Sequence, residues 1–266
     1  MEHPIFNVPA RDTESFEFEL SVIRDLTVMV IFWTVLQIFF FTLPIRASFG
    51  CKDSSWFDIK ALPPKYTDSC NRMVSIAHAL FCIISTSYYF AFGNPTNTEI
   101  VCGGSVTDLE YTIIIVSTGY LIYDLIGMAY LGLLDKDGIF HHGVCILITI
   151  QLIRLDQGCN FWVGVLFMSE ASIPFMHFRI IMRQLGLSKT KAYYFFEDCY
   201  FALYFIGRVI IGSILIWNIM VCDKIFPLLK AVGFPLEIRS IYFIFQMYQR
   251  VLSRKAFFAD LEKNKI

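Results

Sequence analysis

Apolar residues in this chain gather into long uninterrupted blocks instead of recurring at the strand period of two or the amphipathic-helix period of 3.6. Seven blocks can be read, at about 25–45, 73–92, 110–134, 139–154, 160–182, 195–221 and 236–252. A helix rises 1.5 Å per residue, so about 20 apolar residues are needed to cross the hydrocarbon layer of a membrane. The fourth block is short and the seventh contains Arg239 and Gln246; a six-span arrangement that omits one of them is the alternative. The pattern predicts an all-α polytopic membrane protein, a bundle of six to seven helices.

The organisation that follows is an acidic, non-cytosolic N-terminal segment (1–24), a transmembrane helix bundle (25–253) and a cytosolic tail (254–266). The opening residues MEHPIFNVPARDTESFEFELSVIRD are acidic and lack the basic start and short apolar core of a cleavable signal, so the first span is expected to act as a signal-anchor. The loop 46–72, with Gly50, Pro63 and Pro64, is too short to fold alone. No internal repeat or low-complexity run is evident.

Composition strengthens the membrane reading. The chain is 56% hydrophobic and only 17% charged, against about 25% charged in ordinary soluble domains. The placement of Lys and Arg adds an orientation, because cytosolic loops are enriched in them. With seven spans, Arg46, Lys52, Lys60, Lys65, Arg72, Lys136, Arg183, Lys189, Lys191, Arg254, Lys255, Lys263 and Lys265 all fall on one side. The other side keeps Arg154, Lys224, Lys230 and the acidic N-terminus. The N-terminus is therefore expected to be lumenal or external and the C-terminus cytosolic. The basic tail reads as a topology signal before it reads as a contact for anionic lipid, and its KNKI ending is not a clear retrieval signal. A net charge of −1 points to no polyanionic partner, and no nucleic-acid motif is present.

Candidate chemistry lies in the polar positions inside the blocks. Residues three, four or seven apart share a helix face. Ser117, Tyr120, Asp124 and Gly127 form one such stripe, with Tyr123 beside it; Ser75, His78 and Ser85 form another. His142, Cys145 and Thr149 share a face, as do Glu170, Pro174 and His177, with Pro174 expected to kink its helix. Asp124 and Glu170 are central in their blocks, where a carboxyl is expensive and marks a cavity-facing site more often than an isolated structural bond. His78 and His177 lie near membrane boundaries, where a structural hydrogen bond is the simpler role. Adjacent histidines point to different faces, so His141 and His142 can serve one site only at its mouth.

The eight cysteines contain no Cys-x-x-Cys, and Cys82, Cys145 and Cys199 read as small buried hydrophobes. Cys102, Cys159 and Cys222 fall near the non-cytosolic face, where a disulfide among them can form if that compartment is oxidising. Two imidazoles and two carboxylates suit a general base, an acyl-accepting nucleophile or a divalent metal. A lone histidine pair is a weak metal signal, and there is no set of His-x-x-x-His boxes, serine-hydrolase elbow or phosphate-binding loop. No metal and no cofactor is assigned.

The segments RMVSIAHAL (72–80), TGYLIYDL (118–125), the pair His141-His142 and SEASIPFMHFR (169–179) resemble, in this order, the TLC-domain superfamily over roughly residues 65–255. The resemblance implies a TLC-type barrel of helices enclosing a site for an acyl chain, in the endoplasmic reticulum. His141 and His142 map onto the pair that takes part in acyl transfer in ceramide synthases. The chain departs from those synthases after the pair, where ILITIQLIRLDQGCN follows and Glu170 with Ser172 stands in place of an acidic cluster. It is thus most similar to TLC domain-containing proteins of the non-synthase type, which are implicated in membrane lipid composition.

The expectation is a lipid-handling protein of membrane lipid homeostasis, with Asp124, His142, Glu170, Ser172, Tyr120 and His78 holding the lipid. The alternative is a ceramide-synthase-like N-acyltransferase using acyl-CoA, with His141, His142 and Asp124 as catalytic residues. A non-catalytic adaptor or cargo-binding protein is the third reading. Expected partners are membrane lipids, with fatty acyl-CoA as a further candidate.

Overall fold

The computed structural model describes residues 16–43, 48–49, 62–93, 102 and 104–263, with side chains through 254. Arg46, Gly50, Lys52, Lys60, Lys265 and the first fifteen residues lie outside the described residues, as does most of the KNKI ending.

The described chain is helical throughout, without strands. Its elements are α1 (Phe16–Thr42), α2 (Pro64–Tyr88, continued by a π-helical turn Tyr89–Gly93), α3 (Asp108–Leu131), α4 (Lys136–Arg154), α5 (Cys159–Glu170), α6 (Ile173–Gln184), α7 (Lys191–Tyr204, continued by a π-helical turn Phe205–Ile211), α8 (Gly212–Val221) and α9 (Pro227–Lys263). Among the described residues, five stretches are long and apolar enough to cross a membrane: Phe16–Thr42, Pro64–Gly93, Asp108–Leu131, Cys159–Gln184 and Lys191–Val221. The two more polar columns are α4 and α9, which correspond to the short fourth block and the Arg239-containing seventh. The protein is an integral, multi-pass, all-α membrane protein.

Two helices start well before their apolar blocks. Helix α1 begins at Phe16 because its charges find partners while Phe18 and Val22 are buried. Arg24 Nε donates to Asp25 Oδ1 at 2.8 Å, Tyr111 OH donates to Asp25 Oδ2 at 3.1 Å, and Arg154 pairs with Glu19 at 3.2 Å. Helix α2 begins at Pro64, since a proline in the first turn forfeits no helical donor. Its first two turns are polar yet packed on α6: Arg72 pairs with Asp68 at 2.9 Å, and Gln184 links Asp68 to Ser69.

The remaining boundaries follow from capping. Thr107 and Glu110 form a reciprocal capping box at the start of α3, with Thr107 N to Glu110 Oε2 at 2.7 Å and Glu110 N to Thr107 Oγ1 at 3.2 Å. Gly132 ends α3 at φ +68°, the left-handed conformation that glycine adopts without a Cβ penalty. Asp135 then caps α4 by accepting from Gly138 N at 2.7 Å. The fifth apolar block is kinked, as Pro174 predicts: the hydrogen-bond ladder is interrupted between α5, ending at Glu170, and α6, starting at Ile173, while Ala171 and Ser172 keep right-handed helical backbone angles.

Helices α1, α2, α3 and α5 build the densest part of the bundle around Val74, Tyr111, Ile113, Ile114, Phe161 and Val163, all essentially inaccessible. At Gly119 a Cβ would collide with Met29 of α1, so the small residue sets the α1–α3 approach. The outer faces carry exposed Ile31, Val35, Ile84, Phe92, Ile214 and Trp217, as lipid-facing surfaces do. A disulfide joins Cys102, ahead of α3, to Cys222, at the end of α8, with Cα atoms 5.7 Å apart. Cys159 is buried nearby and does not take part in that bridge.

Candidate functional site

The bundle is hollow between the α2–α3 pair and the arc from α4 to α9, where a cavity of about 650 Å³ opens. Its walls are apolar over Leu121, Ile148, Leu166, Ile219 and Phe243, and polar where the stripes predicted above converge. Asp124, Tyr120, Ser117, Ser75, His78, His141, His142, Cys145, Glu170 and His177 all line it.

Asp124 sits at the centre of a bridge between three helices. Asn71 Nδ2 of α2 donates to its Oδ1 at 2.9 Å, and His142 Nε2 of α4 lies 3.5 Å from its Oδ2. The carboxylate thereby orients the imidazole through one ring nitrogen, while His142 Nδ1 is buried with no hydrogen-bond partner. His141 extends from the same turn with its ring at 86° to that of His142 and 5.5 Å away, and its side chain is exposed. Both histidines therefore meet one cavity even though they leave the helix in different directions.

A second polar group lies behind the first. His78 stacks flat on Tyr120, with centroids 3.8 Å apart and planes 9° from parallel, and Trp33 closes the other side edge-on at 5.7 Å. His78 Nδ1 is 3.7 Å from Glu170 Oε2, and its Nε2 is 3.3 Å from Cys82 Sγ, which in turn lies 3.3 Å from Ser117 Oγ. Tyr120 OH donates to Ser75 Oγ at 2.9 Å. His177 Nδ1 meets Arg72 at 3.1 Å, tying α6 to α2.

Not every residue of the stripes reaches the cavity. Thr149 and Ser85 bond to their own helix backbones, and Gly127 lies against Tyr123. Ser172 is fully buried at the α5–α6 kink with its hydroxyl unpartnered, outside the cavity lining.

The sequence pattern passes over three residues that matter here. Asn71 holds Asp124 but precedes the second apolar block, hidden in the polar start of α2. Gln37 accepts from Tyr123 OH at 2.6 Å and anchors α3 to α1. Arg208 lines the cavity from the π-helical turn between α7 and α8; a charge inside an apolar block is the same signal that marks Asp124, and it was there to be read. Among the described residues, no group of three or more His, Cys, Asp or Glu side chains is arranged to hold a metal ion.

A search of curated proteins finds no match. A family model of the TLC domain matches residues 68–253, from the first turns of α2 into α9. The match takes in every cavity-lining helix and the four segments on which the resemblance rests. That domain suggests a membrane protein with a lipid-related role, and the chain belongs to the TLC-domain family.

Proposed function

We propose that this chain is a lipid-handling protein whose cavity holds an acyl chain or lipid, with Asp124, His142, Glu170, Tyr120 and His78 at the polar end, and that it serves membrane lipid homeostasis as a TLC protein of the non-synthase type. The observation that carries the reading is the cavity itself. Its volume of about 650 Å³ falls in the range of ligand pockets, about 300–1,000 Å³, and it joins apolar walls to a few convergent polar groups. Intramembrane carboxyls and imidazoles are retained against their desolvation penalty where they serve a ligand or a pathway.

The same reading places the protein in the endoplasmic reticulum, N-terminus lumenal and C-terminus cytosolic. The basic residues Lys136, Arg183, Lys189 and Lys191 support that orientation, and so does the Cys102–Cys222 bridge at the opposite end, since disulfides persist in oxidising compartments. The test is native mass spectrometry of the purified protein together with cellular lipid profiles. Wild type is expected to carry lipid, and Asp124→Ala or His142→Ala at matched protein level to lose it and shift the profile. An empty wild-type protein with unchanged profiles sinks the idea.

One observation favours a second reading, N-acyl transfer from acyl-CoA. The Asp124–His142 pair, with Nε2 toward the carboxylate and Nδ1 unpartnered, has the form of an oriented base or nucleophile, with His141 beside it. Purified protein given acyl-CoA and a sphingoid base should then form the amide; no product above a His142→Ala control rules it out.

A further inference from the structure

The cavity is lined by three arginines among the described residues, and two of them have carboxylates. Arg72 pairs with Asp68 at 2.9 Å and Arg239 with Asp137 at 2.8 Å. Arg208 has none within 4.0 Å. Glu170 and Glu237 line the same cavity without coming within 4.0 Å of it: Glu170 Oε2 lies 3.7 Å from His78 Nδ1, and Glu237 Oε1 accepts from Ser213 Oγ at 2.8 Å. Arg208 donates through Nη2 to the Ser169 carbonyl at 3.3 Å and lies over the Tyr204 ring at 5.3 Å, while its Nε is buried without a partner.

Its position is built, not incidental. Gly207 lets the π-helical turn press against α5, where a Cβ would come within 2.6 Å of the Met168 carbonyl oxygen. That approach sets Arg208 beside Ser169, at the end of α5. Single π-helical turns inside α-helices recur at functional sites. The other buried unpartnered side-chain atoms on the cavity lining are His142 Nδ1 and Trp162 Nε1, on the same arc of helices.

An unpaired guanidinium in the middle of an apolar span is stabilised when an anion completes it. Arginine's planar fork of donors matches the paired oxygens of carboxylate and phosphate. We propose that Arg208 receives the anionic group of the lipid held in this cavity, so that the ligand class is an anionic lipid, its charge carried by a carboxylate or a phosphate, and not a neutral glyceride. This rests on the lipid-handling reading above and narrows it.

The test uses the full chain purified in neutral detergent, with oleate, lysophosphatidate carrying the same acyl chain, and monoolein as probes. Wild type is expected to bind at least one anionic probe tenfold or more tightly than monoolein. Oleate alone identifies a carboxylate, and lysophosphatidate alone a phosphate. Arg208→Gln, its folding checked by thermal unfolding in the same detergent, should remove the preference, and Arg208→Lys should keep part of it. Equal binding of monoolein and both anions by wild type overturns the proposal, as does a preference that survives Arg208→Gln. Should Arg208→Gln fail to fold, the wild-type ratio and Arg208→Lys still decide. If no probe binds wild type, lipid handling itself fails and this proposal with it; if only the anion preference is missing, lipid handling stands and this proposal falls.

Discussion

The two sides of the cavity are made differently. On the α2–α3 side, polar side chains are tied to one another: Asn71 to Asp124, Tyr123 to Gln37, Tyr120 to Ser75, and Cys82 to both His78 and Ser117. On the arc from α4 to α8, three side chains on the lining keep a buried atom unpartnered: His142 Nδ1, Trp162 Nε1 and Arg208 Nε. Gln37 Nε2 is also unpartnered, but Gln37 lies behind the α2–α3 side and not on the cavity. Buried polar groups are nearly always satisfied in folded proteins. The α2–α3 side thus reads as a scaffold that fixes its polar groups, Asp124, Tyr120 and His78 of the proposed lipid site among them, and the arc as a surface whose buried polar atoms lack a protein partner.

That contrast can be broken at several points. The largest effect is expected from Cys222→Ser, because the bridge staples the segment ahead of α3 to the end of α8 and so joins the two sides. Loss of a cross-link across 120 residues should lower stability by about 2–4 kcal/mol. Thermal unfolding in detergent with and without reductant measures it, and an unreduced wild type no more stable than the variant would show that the bridge contributes nothing. Next comes Tyr123→Phe on the scaffold side. It strips Gln37 Oε1 of its donor in a site where Nε2 already lacks a partner, so a loss of about 1–3 kcal/mol is expected. The same unfolding assay checks it, and retained lipid in the folded fraction would keep the scaffold label.

The smallest effect is expected from Ser172→Ala. Its hydroxyl is buried and unpartnered, so its removal relieves an unmet desolvation cost and should raise stability by about 1 kcal/mol. Since Ser172 is off the lining, lipid content should not change. A fall in lipid content would put Ser172 within reach of the ligand and enlarge the unsatisfied side.

The scaffold was the more legible half, for a physical reason. A stripe such as Ser117, Tyr120 and Asp124 recurs at helical spacing within an apolar run, so the pattern alone aims it at a common neighbour. Glu170 and His177 were legible in the same way. Asn71 was not, because a buried polar helix start has the composition of a loop and only its packing on α6 makes it helix. The kink at Ala171–Ser172 was legible from Pro174. The Cys102–Cys222 pairing depended on which ends of the bundle meet, which spacing along the chain does not encode.

That kink also changes what the backbone presents inside the membrane. A continuous helix would keep its termini, and the partial charges of its aligned peptide dipoles, in the interfacial layers. The interruption after Glu170 instead leaves carbonyls of the last turn of α5, Ser169 among them, without helical donors inside the bundle, where each keeps its partial negative charge. Arg208 bonds to the Ser169 carbonyl at that terminus. The carbonyl end of α5 thus acts as a fractional counter-ion to Arg208, holding the guanidinium in place without neutralising it.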